Sequence, residues 1–356
     1  MALTQVQDGM LGYDGGSFAF RNRIINGDMK IDQRNAGAAV TASGSYPVDR
    51  FTMTNSTDGS FSAQQDTSAP VGFVNSLKVT TTTADTSLTT TQYFSIRQKI
   101  EGFNVSDFGF GTANAKTVTF SFWVRSSLTG TFGGSIANSA ATRSYPFTYT
   151  ISVADTWEQK SVSIAGDTTG TWLTTNGIGL QVFFGLGAGP DRSGTAGAWN
   201  SNNNVSATGA TSVVGTNGAT FYITGVQLEA GTVATPFERR PYGTELALCQ
   251  RYCQVLSNVN GDRDIATGVI YSSTAGVGVR SFPTVMRAAP TLTASGLSDI
   301  LTYQAGSSFV PTAISLDRSA PTTVTLFTTI SGATQGQGSW LRLNGSSAKL
   351  ELTAEL

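Results

Sequence analysis

Asp28, Asp32, Asp49 and Glu101 are the side chains of this sequence best suited to acid and base work. Cleavage of a glycosidic bond takes two carboxyl groups facing each other across a cleft. Sequence spacing brings no two of these together. Each falls at the end of a predicted strand, where a charged rim is the ordinary outcome. The chain contains no histidine. That removes the Ser-His-Asp triad, the imidazole base and the usual zinc ligand sets together. The expectation is a protein without catalytic residues.

Metal and cofactor chemistry fares no better. Asn258-Val-Asn260-Gly-Asp262-Arg-Asp264 carries amide or acidic groups at every second place, as a calcium loop does. The closing glutamate is missing, because Val269 stands where it belongs, and a polar hairpin turn accounts for the pattern as well. Cys249 and Cys253 have neither histidine nor a second cysteine pair to complete a closed site. Placed one helical turn apart they have poor disulfide geometry, so half-buried thiols acting as small apolar groups are expected. The run Gly185-Leu-Gly-Ala-Gly-Pro lacks the lysine and following helix of a phosphate loop. Glu238-Arg239-Arg240 reads as a salt-bridged surface turn. No cofactor is expected.

One segment pairs a large aromatic with many short polar side chains. The loop from Gly185 to Gly218 is rich in Gly, Asn, Ser and Thr, and holds Trp199 beside Asn200, Asn202, Asn203 and Asn204. Asp191 and Arg192 lie on the same insertion. Sugars are held by aromatic faces plus polar groups on loops, so this is the candidate glycan-binding set. The competing reading is that Trp199 pins the loop to its own domain.

The elements that position these residues are strands. At 356 residues the chain is long enough for two domains. Only 13% of residues are charged and the net charge is −1, which leaves no basic field for a nucleic acid. Apolar runs are short and broken, so no segment reads as a bilayer span. The first residues lack a basic stretch before an apolar core, which predicts synthesis in a cytoplasm without a Sec signal. Thr117 to Arg125 puts Val118, Phe120, Phe122 and Val124 on one face. Ser76 to Thr81, Phe94 to Gly102, Glu158 to Ile164, Ile178 to Leu186 and Phe221 to Leu228 also read as strands. Short strands separated by Gly, Asn and Ser turns predict an antiparallel β-sandwich.

Gly231, Pro236 and Pro241 then break the chain. A helix is predicted next, capped by Thr244, with Leu246, Cys249, Arg251 and Cys253 at one-turn spacings. Beyond it, Asp264 to Tyr271, Gly276 to Phe282, Pro290 to Ala294, Thr322 to Thr328, Ser339 to Asn344 and Ala348 to Leu356 alternate as a second, smaller β-sandwich. The expected fold class is all-β. The expected division is a lead over 1–20, a first domain over 21–230, a linker and helix over 231–254, and a last domain over 255–356.

Two stretches carry a resemblance. The run FYITGVQLEAGTVATPFERRPYGTELALCQRYC, Phe221 to Cys253, resembles a segment of tailed-phage virion proteins, above all tail fibres and other receptor-binding appendages. FPTVMRAAPTLT, Phe282 to Thr293, resembles their C-terminal part. Asn22 to Asp28, Lys116 to Ser126, Trp157 and Phe221 to Glu229 together resemble jelly-roll carbohydrate-binding modules. The resemblance implies a jelly-roll first domain and a non-enzymatic virion protein that recognises a host-surface glycan. It also implies a homotrimer with virion proteins as partners, exposed on the particle. Leu3, Val6, Met10 and Leu11, in the lead LTQVQDGML, would dock it to the particle. The alternatives are a capsid decoration or tail scaffold without sugar affinity, and a glycan depolymerase.

Overall fold

A computed structural model describes residues 20–257, 264–345 and 348–356. Leu3, Val6, Met10 and Leu11 lie outside the described residues, as do Asn258, Asn260 and Asp262. The chain forms two compact units, the first ending at Glu245 and the second running Leu246–Glu355.

In the first unit the strands are β1 (Phe51–Asn55), β2 (Ser60–Asp66), β3 (Ser76–Thr83), β4 (Tyr93–Glu101), β5 (Val118–Ser126), β6 (Gly130–Ala137), β7 (Ser144–Ile151), β8 (Glu158–Ile164), β9 (Ile178–Ala188), β10 (Ser193–Gly194), β11 (Ser206–Ala207) and β12 (Thr220–Ala230). One five-stranded sheet has the order β1-β4-β9-β6-β7 and the other β2-β3-β12-β5-β8. Between the strands of these two sheets the chain changes sheet at every connection except the β2–β3 and β6–β7 hairpins. This is a jelly-roll sandwich.

Alternation creates the core. Val118, Phe120, Phe122 and Val124 of β5 all face inward and are fully buried. They meet Leu180, Val182, Phe184 and Leu186 of β9, also buried. Phe122 and Phe184 pack edge to face at 5.0 Å, and Phe120 lies 5.5 Å from Phe184 and 5.6 Å from Phe147. Each such phenylalanine contributes about 1.5–3 kcal/mol by leaving water. In β12 the pairing with β5 shifts between Thr224 and Gln227. Gly225 sits at this bulge with φ +60°, and a Cβ there would lie 2.7 Å from the ring of Phe73 and 3.0 Å from that of Trp123.

Residues 231–240, read from sequence as a tether, are bonded to the first unit. The Glu229 carboxylate accepts from Thr235 N (2.9 Å) and Oγ1 (2.7 Å), and Gln227 accepts from Glu238 N at 2.8 Å. Glu238 in turn accepts from the amides of Phe20 and Asn22, the latter at 2.8 Å. Arg240 donates to the carbonyls of Asn22 and Ile24 and pairs with Glu238 and Glu245, each at 3.4 Å. Glu245 accepts from Asn26 N. The Glu-Arg-Arg turn is salt-bridged as expected and Arg239 is exposed, but the side chains of Glu238 and Arg240 turn inward as a clasp. It fastens the 20–26 segment to the end of β12, and the side chain of Arg240 is 6% exposed.

α1 (Tyr242–Gln250) starts at the end of the first unit, and the second unit continues with β13 (Cys253–Ser257), β14 (Asp264–Ser272), β15 (Ala275–Ser281), β16 (Thr291–Ala294), β17 (Ile300–Gln304), β18 (Ser307–Phe309), β19 (Ala313–Ser319), β20 (Thr323–Thr329), β21 (Gly338–Leu343) and β22 (Lys349–Thr353). A three-stranded sheet, β13-β22-β16, and a seven-stranded sheet, β18-β17-β21-β14-β15-β20-β19, share one core of Leu256, Ile265, Leu326, Leu341, Leu350 and Leu352. Two expectations change here. The helix starts at Tyr242, after Pro241, whose carbonyl accepts from Glu245 N, so Thr244 lies within the first turn and is not its cap. Cys253 is not on the helix but opens β13, paired with Thr353. Cys249 and Cys253 are buried thiols, not half-buried ones.

Candidate functional site

The loop after β9 folds back as a strap over the outer face of the β1-β4-β9-β6-β7 sheet. Short parallel strands β10 and β11 hold it together. It can lie flat because the strands beneath it have glycines where side chains would stand. A Cβ on Gly133 would come within 2.4 Å of Ser206 Oγ, and one on Gly185 within 2.5 Å of Ser206 Cβ.

The strap's ends are anchored on different strands. At one end Asp191 N bonds Thr90 O at 2.9 Å, while the Asp191 side chain is exposed. Arg192 places its guanidinium 5.5 Å from the ring of Tyr93, at the start of β4. At the other end Trp199 donates its indole N–H to Ala165 O at 2.7 Å. Its ring meets Tyr145, Trp172 and Phe110 edge to face at 5.3, 5.4 and 5.8 Å. Asn200 Oδ1 accepts from Ser144 Oγ, Asn202 N and Asn204 Nδ2, each at 3.0 Å. The carbonyl of Asn202 accepts from Ser144 Oγ at 2.6 Å, and Asn203 is half-buried. The structure thus groups Trp199, Asn200, Asn202 and Asn203 beside β7 and leaves Asp191 and Arg192 beside β4. Three strand spacings, about 14 Å, separate those strands. Trp199 is a pin, and the amide of Asn200 is a staple within the strap.

Below this end Arg143 grips Asp167 through two parallel bonds, Nε to Oδ2 at 2.7 Å and Nη2 to Oδ1 at 2.8 Å. Burial pushes the Asp167 carboxyl up, but the guanidinium bonds and those from Thr169 outweigh it and hold the group below the ordinary carboxylate range. A carboxyl depressed in the folded state stabilises above its unfolded value, and that contribution disappears as the pH falls through the folded value. The melting temperature should therefore drop on acidification below about pH 4. Asp167→Asn should flatten that slope in a pH series of melting curves, and an unchanged slope would exclude this pair as a source of the acid sensitivity.

The outer face of the other sheet is partly accessible: Gln64, Lys78, Trp123, Arg125 and Trp157 are half-exposed, while Tyr222 among them is buried. One row crosses it in register: Gln64 on β2, Lys78 on β3, Tyr222 on β12 and Arg125 on β5. Trp157, just before β8, continues the row, 6.1 Å from Tyr222. The Tyr222 ring is flanked by Arg125 at 5.0 Å and Lys78 at 5.6 Å. Asp155 pairs with Arg125 at 3.3 Å and Asp66 with Lys78 at 3.6 Å. Trp123, the next outward residue of β5, is half-exposed, and so is Trp157, while Gln159 beside them is exposed. This surface offers aromatic faces among amide and charged groups. Sequence reasoning passed over it because these residues sit on strands far apart in the chain; the visible signal was outward aromatic positions on β5 and β12.

The four carboxylates weighed for catalysis are engaged within the fold. Lys30 pairs with Asp28 at 2.6 Å. Asp32 accepts from Asn35 N at 2.9 Å and Gly37 N at 2.7 Å. Asp49 accepts from Gln33 N at 3.1 Å and lies 3.7 Å from Arg34. Asp28, Asp49 and Glu101 are buried, so they do not form the charged rim expected. Asp264, the described member of the calcium-like run, is paired with Arg342 at 2.6 Å. Among the described residues no group of three acidic, Cys or His side chains is placed to hold a metal.

No protein-family model matches the sequence, and no curated protein matches it. Among solved structures the chain is similar to the enzymatically active domain of a tailspike protein of bacteriophage CBA120, at 12% identity and TM-score 0.31, over 59% of this chain and 21% of that one. It is also similar to a family 11 carbohydrate-binding module from Clostridium thermocellum, solved with a β-1,3-1,4-mixed-linked tetrasaccharide. There the identity is 12% and the TM-score 0.28, over 56% of this chain and all of that one. A third is the N-terminal cellulose-binding domain of Cellulomonas fimi β-1,4-glucanase C, at 15% and 0.24, over 53% and 100%. Scores this low bear on neither activity nor ligand.

Proposed function

We propose that this chain is a non-enzymatic virion protein of a tailed phage, a tail fibre or kindred receptor-binding appendage, and that its jelly-roll unit binds a host-surface glycan. The observation that carries glycan binding is the pair of half-exposed indoles, Trp157 and Trp123, beside the half-exposed Gln64, Lys78 and Arg125, which cover the buried ring of Tyr222. Indole faces supply stacking, and the amides and ion-paired side chains supply hydrogen bonds. The virion assignment rests on the resemblance of residues 221–253 and 282–293 to phage appendage proteins. The absence of catalysis is supported by a composition without histidine and by carboxylates already bonded to their own chain. Assembly as a homotrimer, docking through residues 1–20 and exposure on the particle belong to the same proposal.

The test is binding of the purified full chain to polysaccharides extracted from host cells. Trp157→Ala should weaken binding about tenfold, the equivalent of losing roughly 1.4 kcal/mol of stacking. Its melting temperature should hold, since the ring is half-exposed. Binding unaltered in both Trp157→Ala and Trp123→Ala would remove this face as the site. Hydrolysis of the polysaccharide would overturn the non-enzymatic reading.

A further inference from the structure

Half-buried arginines of the first unit mostly pair with carboxylates. Arg21 meets Glu229 at 3.6 Å, Arg23 meets Asp107 at 2.7 Å, Arg125 meets Asp155 at 3.3 Å and Arg143 meets Asp167 at 2.7 Å. Arg97 and Arg192 are half-buried too, yet among the described residues no carboxylate lies within ion-pair distance of either. Their side-chain bonds there are long. Arg97 Nη1 donates to Gln181 Oε1 and Arg192 Nε to Thr91 O, each at 3.4 Å. A guanidinium drawn partly out of water without a countercharge is costly, which is why such groups are normally paired.

The two arginines border one patch. Phe94 and Ile96 of β4 lie in the core, so Tyr93, Ser95 and Arg97 belong to its outer face. Arg97 stands opposite Phe183 of β9, with its guanidinium 5.9 Å from that ring. The Arg192 guanidinium lies 5.5 Å from the ring of Tyr93, and Tyr93 and Phe183 pack in one small apolar cluster. Ser95, midway between Tyr93 and Arg97, faces Thr54 of β1. Both hydroxyls are buried without a hydrogen-bond partner, and so is Nε of Arg97. Buried polar atoms are rarely left so, and here three of them fall at adjoining positions. Two unpaired cations, an aromatic floor and three unmatched polar atoms describe a seat for something anionic that also carries hydroxyl groups.

We propose that Arg97 and Arg192 bind an acidic sugar on the strap side of the jelly roll. A carboxylate takes a guanidinium fork through two parallel bonds. The half-exposed ring of Tyr93 offers a face for the sugar's C–H groups, and the sugar hydroxyls supply partners for the polar atoms of β1 and β4. This site is on the sheet opposite Trp157 and Trp123. It rests on the glycan reading for the class of its ligand, and it adds a charge requirement that the tryptophan face does not impose.

Titration calorimetry of the full chain with D-glucuronate, D-glucose and inorganic phosphate tests it. Glucuronate should bind about tenfold or more tighter than glucose, and its affinity should fall as salt is added. Arg97→Gln should lose that preference, and Arg97→Lys should not restore it, because an ammonium is a point charge and not a fork. Arg97→Gln should melt no lower than the unmodified protein, since the charge it removes has no partner. Should it melt early, Arg192→Gln carries the same test from the strap. Glucuronate binding no tighter than glucose, or equally tight in the folded variants, would overturn the proposal. Phosphate binding as tightly as glucuronate would overturn its assignment to a sugar. A flat glucuronate titration beside Trp157-dependent binding of host polysaccharide would sink this site alone, so the two readings fail separately.

Discussion

Arg240→Ala is expected to destabilise the first unit by about 3–5 kcal/mol, the loss seen when one partner of a buried ion pair is removed. Arg240 donates to the carbonyls of Asn22 and Ile24 and faces Glu238 and Glu245, whose side chains are only 10% and 8% exposed. Without the guanidinium, two carboxylates and two carbonyls are left with unpaired acceptors away from water. For a unit of this size the melting temperature should fall by roughly 8–16 °C. The deficit should also depend on pH. Burial already pushes the Glu245 carboxyl up, while Arg240 and the Asn26 amide pull it down. Removing the arginine raises it further. A carboxyl raised in the folded state stabilises below its unfolded value and loses that contribution as pH rises through the folded value. The variant should therefore be closest to the unmodified protein in mild acid and furthest from it at neutral pH. Urea unfolding at two pH values measures both effects. A loss under about 1 kcal/mol at neutral pH would mean that the clasp has the weight of a surface ion pair.

Trp199→Ala should cost about 1–3 kcal/mol, less than the roughly 3–5 kcal/mol of a fully buried tryptophan, because the ring is only partly buried but is held by its neighbours. The substitution removes three edge-to-face ring contacts and the bond to Ala165 O, and it frees one end of the strap. Affinity for host polysaccharide, measured per folded molecule, should stay unchanged if the ligand lies on the opposite sheet around Tyr222. Trp199→Phe should recover most of the ring packing but not the indole hydrogen bond. A variant that melts normally and loses affinity would return the glycan site to the strap and remove it from the Trp157 row. Calorimetry and polysaccharide binding on the same samples separate the two.

Both variants act on contacts between residues distant in sequence, and this marks the limit of what the chain discloses by itself. The inner faces of the sandwich were legible. In β5, apolar residues occupy every second position, and the pleat can bury only one of the two sets. The same holds for β3, β4 and β12, and for β20 and β21 in the second unit; in β14 a bulge between Asp264 and Ala266 turns Ala266 and Ile270 inward and leaves Val269 and Tyr271 outside. The two thin sandwiches, the near-neutral surface and the want of a histidine base follow from composition and period alone.

Strands β6 and β7 were not legible. Of the glycines that weaken the signal of β6, Gly133 is pressed by Ser206 and Ala207, some seventy residues away, and Gly134 by the ring of Phe147 and the carbonyl of Phe183. Cys253 read as helical because its spacing from Cys249 fits a turn; pairing with β22 at the far end of the chain outweighs that local preference. Glu238 and Arg240 read as exposed until residues 20–26 are laid against them, while Arg239 stays exposed. Which outer face stays open is likewise a tertiary matter. Period 2 assigns Trp123, Arg125 and Tyr222 to an outward face, but says nothing of whether another segment covers it. The strap lies on the first sheet, over Gly133 and Gly185, while on the other the ring of Phe73 sits over Gly225 and leaves Trp123 and Trp157 half-exposed. Local pattern determines which side of a strand is buried in its own core; the path of the rest of the chain decides what becomes of the other side.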